Sequence, residues 1–193
     1  KKVTEDLKLN PISVYNKTKM IAERVFLSYK NKIDVKCLRP ATVCGFSKRL
    51  RLDLTVNKLT FDGFYKKKIF VDGGKQIRPN VNIKDVIRAI DHFLFSKKNF
   101  KENIYNLGFE NLSILEIAKK IKKKTGAKII VNKSIDIRSY RQDSLRLIKT
   151  GFKPKYNVDK AIDELLQLFN KKKSNNFNNL NFNLKRMKKI NVK

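Results

Sequence analysis

Tyr15 and Lys19 stand four residues apart in the stretch YNKTK, after a proline and before the apolar run MIAERVF. On a helix that spacing stacks both side chains on one face, one turn apart. A phenol with its ordinary pKa of about 10 is a poor proton acceptor near neutrality. An ammonium one turn away favours the phenolate, and a phenol so tuned can exchange a proton with a substrate hydroxyl. The pair alone also fits a lysine-rich surface helix, so its meaning rests on the elements around it.

The segment NPISVYNKTKMIAERVFLSYKNK reads as a helix that starts after Pro11, with Ser13 as candidate cap and Ala22, Val25, Phe26 and Tyr29 on one apolar side. Residues 33–40, IDVKCLRP, alternate and end at proline, as in a strand opening into the loop ATVCGFSKR. A helix followed by a buried strand is an α/β signature. Residues 53–65 predict a second helix, and KKIFVDGGKQIRPNVNIKD predicts two extended pieces around Gly73-Gly74. IKDVIRAIDHFLF is amphipathic, with Val86, Ile87, Ile90, Phe93 and Leu94 apolar and Asp85 placed to order the helix start and its loop. Residues 103–108 predict a strand, and SILEIAKKIKKKTG a helix with Ser113 as cap, Glu116 at capping-box spacing and Gly126 as stop. KIIVN predicts another strand, DSLRLIKTGFKPKY a short helix, and VDKAIDELLQLF a last one. From Asn170 the chain turns to Asn and Lys with scattered Phe and Leu, which predicts a poorly ordered tail over 170–193.

Lys and Arg number 46 against 17 acidic residues, a net charge of +29. Such a charge raises a polyanion partner as a second reading, a basic nucleic-acid-binding protein, with the tail as its best support. The lysines are nevertheless spread over nearly every segment, as solvated faces are, and nucleic acid is not the expected partner. Cys37 and Cys44 have no CxxC spacing, which leaves neither a zinc site nor a disulfide framework and fits reduced, cytoplasmic thiols. His92 has no clustered metal partners and reads as a structural histidine. No apolar run approaches the roughly 18 residues that span a bilayer, so no membrane role is expected.

The surroundings of the Tyr/Lys pair resemble the extended short-chain dehydrogenase/reductase family, which includes the nucleotide-sugar epimerases and dehydratases. TEDLKLNPISVYNKTKMIAERV is similar to the family's tE…nPxsxYxxSKxxxE, with Thr18 for the commoner Ser. LRPATVCGFSKRLRLDLTVNKL resembles LRxxxVYGPxxR…N, VDGGKQIRPNVNIKDVIRAI resembles GxGxQxRxxvhVxDvaxAi, and FKPKYNVDKAIDEL resembles the terminal GfxPxxsxxxgixel. Four ordered blocks cover residues 4 to about 166.

The resemblance implies an α/β fold: the C-terminal part of a Rossmann-type doubly wound parallel sheet over 1–52, and a smaller substrate-binding region over 53–169 that returns segments to the core. It implies NAD as cofactor, NADP being open, and a nucleotide sugar as substrate. Tyr15 would be the acid/base, Lys19 would lower its pKa and bind the nicotinamide ribose, and Pro40 would line the nicotinamide site. Thr42 stands where many epimerases carry Asn, Asn57 where a residue contacts the nucleotide diphosphate or sugar. Arg78 would pair with the diphosphate through two parallel hydrogen bonds; Arg138 would be a second such arginine, with Arg141 competing for the position. The leading reaction is epimerisation of a UDP-sugar at C4, with 4,6-dehydration or reduction as alternatives and a homodimer through the Tyr15 helix as the usual assembly. The family's G-x-x-G-x-x-G turn is not found in the chain, and Gly73-Gly74 lacks the strand, helix and third glycine to replace it. The expectation is therefore a C-terminal portion of a larger enzyme, inactive by itself.

Overall fold

In the computed structural model, residues 2–133, 139–172, 177 and 179–190 are described. β1 (Lys2–Val3) precedes α1 (Val14–Ser28), and β2 (Cys37–Pro40) and β3 (Thr42–Cys44) follow. α2 (Thr55–Phe61) runs on into a π-helical turn over Asp62–Lys66. β4 (Lys68–Asp72) and β5 (Ile77–Asn82) flank the double-glycine turn, and α3 (Ile83–Phe95) starts directly after β5. β6 (Ile104–Leu107), β7 (Glu110–Ser113), α4 (Ile114–Thr125), β8 (Lys128–Asn132) and β9 (Arg141–Gln142) come next. α5 (Leu145–Lys149), α6 (Val158–Lys171) and α7 (Asn183–Lys189) close the chain.

Parallel pairing dominates, as an α/β fold requires. β2 runs parallel to β6, β3 to β5, β4 to β8 and β1 to β9, while β7 adds to β5 antiparallel. The register sets Cys37 opposite Ile104 and Pro40 opposite Leu107. Thr42–Cys44, expected as loop, is a strand because β5 offers it a parallel edge, with Val43 opposite Val81. Three residues are too few for alternation to announce themselves as a strand in the sequence.

One core lies between α2, α4, α6 and β4, where Val56, Ile69, Ile117, Ile121 and Ile162 are fully shielded. Each such side chain contributes about 1.5–3 kcal/mol through burial. Gly63, in the π-helical turn, lets this core close: a Cβ there would lie 2.9 Å from Ile121 Cγ2. A second core joins β5, β6, α3 and α5 around Val81, Ala89, Tyr105, Leu107 and Leu147. The caps read in the sequence are all present. Ser13 accepts from the Asn16 amide, Ser113 and Glu116 form a capping box, and Gly126 ends α4 in the left-handed region at φ 69°.

The expectation of a buried apolar side is corrected for two helices. The apolar side of α1 is not packed away: α1 has no buried residue, and Val25, Phe26 and Tyr29 stay at least half exposed. On α3, similarly, Val86 and Phe93 pack inward around Ala89 while Ile87, Ile90 and Leu94 face out. Beyond α6, the described residues of the tail contribute packing. Phe177 and Phe182 lie edge-on to Phe61, and the Leu52 amide donates to the Asn181 carbonyl at 2.8 Å. Irregularly spaced aromatics meeting an existing aromatic cluster leave no period to read.

Candidate active site

Ser13 fixes where α1 begins, and so puts Tyr15 in the first turn with Lys19 one turn later. Lys19 Nζ lies 5.5 Å from the centroid of the Tyr15 ring, so the spacing does place the two groups on one face. Both line a concavity of about 830 Å³ between α1 and the 33–40 segment, which Pro40 also borders. A second concavity, of about 470 Å³, is lined by Tyr15, Pro40, Thr42 and Asn57. Tyr15 and Pro40 belong to both, so the phenol stands where the two meet.

α1 is joined to β2 by a forked ion pair. Arg39 donates from Nε and Nη2 to the two Glu23 oxygens at 2.8 and 2.6 Å, and from Nη1 to the Glu5 carbonyl at 3.0 Å. The Glu23 hydrogen bond raises the Arg39 pKa above its ordinary value, against the pull of burial. Nearby, burial pushes the Cys37 thiol up and the Glu23 charge adds to it. Cys44 is pushed to about 12, chiefly by burial and further by Glu110 and Glu164.

Asn57 lines the second concavity with its amide already engaged. Its Oδ1 accepts from the Gly45 amide at 3.0 Å, and its Nδ2 donates to the Gly45 carbonyl at 3.3 Å and the Arg51 carbonyl at 3.0 Å. Asn57 thereby ties down the 45–51 loop. That loop brings Arg49 and Arg51 to the rim, two cations the sequence reading passed over. The available signal was the arginine that follows Gly45 by four residues in GFSKR. Tyr140 also reaches this rim.

Arg78 lies on β5 opposite Leu112, donates to the Ile77 carbonyl at 3.2 Å, and lines neither concavity. Arg138 lies outside the described residues. Arg141 is exposed on β9, paired with Lys2. Asp85 is fully buried and accepts from the Lys155 and Tyr156 amides and from Arg88, so it orders the start of α3 and the segment before α6. His92 sits among Phe93, Phe100 and Phe152. No group of three metal-ligating side chains occurs among the described residues, nor does any helix long and apolar enough to cross a membrane.

The family model described as NAD dependent epimerase/dehydratase family matches residues 1–108. The chain belongs to that family. UDP-glucose 4-epimerase of Lactobacillus helveticus is 33% identical over 191 residues, a match covering 83% of this chain and 56% of the relative. Among solved structures, UDP-glucuronic acid 4-epimerase from Bacillus cereus in complex with NAD superposes with a TM-score of 0.74 at 26% identity, over 88% of this chain and 56% of that one. The dTDP-glucose 4,6-dehydratase of Bacillus anthracis in complex with NAD shares the fold at a TM-score of 0.75 and 22% identity, over 89% of this chain and 56% of that one. The chain thus spans about half the length of the relatives it matches. Its α/β architecture is that of the Rossmann-fold epimerases and dehydratases.

Proposed function

We propose that the chain carries the proton-transferring part of a nucleotide-sugar epimerase acting at C4 of a UDP-sugar. The observation that carries this reading is the place of Tyr15: paired with Lys19 on one helix face, at the border shared by two concavities. The relative from Lactobacillus helveticus and the Bacillus cereus structures, one of them holding UDP-glucuronic acid and NAD, support the substrate class.

The residues present fit one end of NAD. Tyr15, Lys19 and Pro40 converge on a concavity wide enough for a nicotinamide riboside, whereas the 193 residues contain no glycine-rich turn to take the pyrophosphate. When bound, NAD supplies the acceptor and donor of hydride. Tyr15 takes the proton of the sugar hydroxyl as it is oxidised and returns it on reduction. Lys19 holds a ribose hydroxyl and stabilises the charge that develops on the Tyr15 oxygen. Thr42 and Asn57 border the second concavity, where the sugar would lie, and Arg49 at its rim draws the diphosphate, while Arg51 beside it is forked onto the Asp53 carboxylate. Arg78 and Arg138 are proposed for the diphosphate from the motif resemblance alone.

The deciding experiment is Tyr15→Phe in the NAD-loaded protein, with interconversion of UDP-glucose and UDP-galactose followed by NMR. The expected result is a loss of about 10²–10⁴-fold in kcat with KM little changed. Turnover at the wild-type level would overturn the assignment.

A further inference from the structure

We infer that Glu23 and Arg39 are positioning residues, which set the placement of the helix bearing Tyr15 and Lys19 against Pro40; the inference rests on the proton-transfer reading above. Helices in proteins are held mainly by burial of an apolar face. α1 has little of that support: none of its residues is fully buried, and only Met20, Ala22, Glu23 and Leu27 are half-buried. Among the described residues, its side chains are hydrogen-bonded to the rest of the chain only through Glu23, which accepts from Arg39 Nε and Nη2.

The geometry of the pair suits it to set a position. The two side chains are 14% and 19% exposed, so solvent screens them little. Two parallel donors on a rigid guanidinium fix the rotation of the carboxylate as well as its distance, which a single ammonium does not. Arg39 is braced in turn. Its third contact is the Glu5 carbonyl, and Glu5, 8% exposed, accepts from the Asn106 amide of β6 at 2.8 Å. Glu23 is therefore fastened through Arg39 to the paired strands β2 and β6.

The sequence then converts this anchor into site geometry. Glu23 follows Lys19 by one turn and Tyr15 by two, so anchoring Glu23 sets the rotation of the stripe that carries all three. Arg39 immediately precedes Pro40, which borders both concavities. A thinly packed helix with one polar anchor loses its azimuth when that anchor is lost, and the phenol moves relative to Pro40.

Two readouts test this. The first is hydrogen exchange of the α1 amides in the full chain, in Glu23→Gln and in the paired replacement Glu23→Leu with Arg39→Met. The second is kcat of the NAD-loaded enzyme in the same variants. The paired replacement leaves no charge buried alone, so the fold is retained. In both variants α1 is expected to exchange about tenfold faster or more, with α4 and α6 unchanged. The kcat is expected to fall about a hundredfold with KM little altered, as for displacement of a reacting group by about 1 Å. Wild-type protection of α1 in the paired variant would show that the ion pair is only an interchangeable attachment and would overturn the inference. So would a wild-type kcat in that variant when Tyr15→Phe abolishes turnover. If Tyr15→Phe leaves turnover intact, the proton-transfer reading fails by itself, and α1 exchange alone decides whether the pair sets the helix.

Discussion

Lys19 Nζ and the Tyr15 ring face each other on α1, 5.5 Å from ammonium to ring centroid. A cation so placed acts on the phenol through charge, whereas a ribose contact acts through a donated hydrogen bond. The two roles separate by substitution. Lys19→Met removes both and is expected to lower kcat by about 10²-fold or more, and Lys19→Arg, which keeps the charge but not the compact head group, to recover part of that loss. Separate kcat and KM for NAD in the two variants check the assignment: a kcat loss that Lys19→Arg partly restores assigns the charge to Lys19. An unchanged kcat with a raised KM for NAD in Lys19→Met would leave Lys19 with the ribose contact only.

That pair was legible in the sequence because helical period and a serine cap are local properties, and both hold in the structure. The same holds for α4, whose capping box and glycine stop were read directly from Ser113, Glu116 and Gly126. What escaped were features decided by tertiary partners. The stripe of Val25, Phe26 and Tyr29 promised burial, yet period reports which residues share a face and not whether anything covers it. Thr42–Cys44 became a strand only because β5 lies beside it, and Arg49 and Arg51 reach the rim only because Asn57 folds their loop back. Arg78 shows the converse. Its motif match was clear, but on β5 it lines neither concavity.

Asn57 illustrates how a residue expected at a ligand can act on the protein itself. Its amide holds Gly45 and Arg51 through three hydrogen bonds, and the residue is 3% exposed. Asn57→Ala leaves those backbone groups without partners, each at about 1–3 kcal/mol if it stays buried. The expected outcome is a lower urea midpoint, by about 2 kcal/mol or more of stability. Unchanged stability with a raised KM for the nucleotide sugar would instead make Asn57 a ligand contact.

His92 gives a pH dependence whose sign follows from its surroundings. Thr150 Oγ1 donates to the Leu147 carbonyl at 2.6 Å, so it accepts from His92 Nε2–H at 2.8 Å, which fixes the neutral tautomer. Burial among Phe93, Phe100 and Phe152 lowers the His92 pKa, and the Lys98 charge lowers it further. A histidine whose pKa is depressed by folding takes up its proton first in the unfolded chain. Above about pH 6.5 both states are neutral and the full stability is present. As the pH falls below that value the unfolded chain is protonated ahead of the folded one, and stability declines until the folded pKa is passed. Denaturant midpoints measured from pH 7.5 to 5 should therefore fall more steeply for the wild type than for His92→Gln, which keeps a donor but cannot titrate. Parallel slopes for the two proteins would mean that the imidazole takes up its proton equally well in both states, and that the aromatic cage does not exclude its charge.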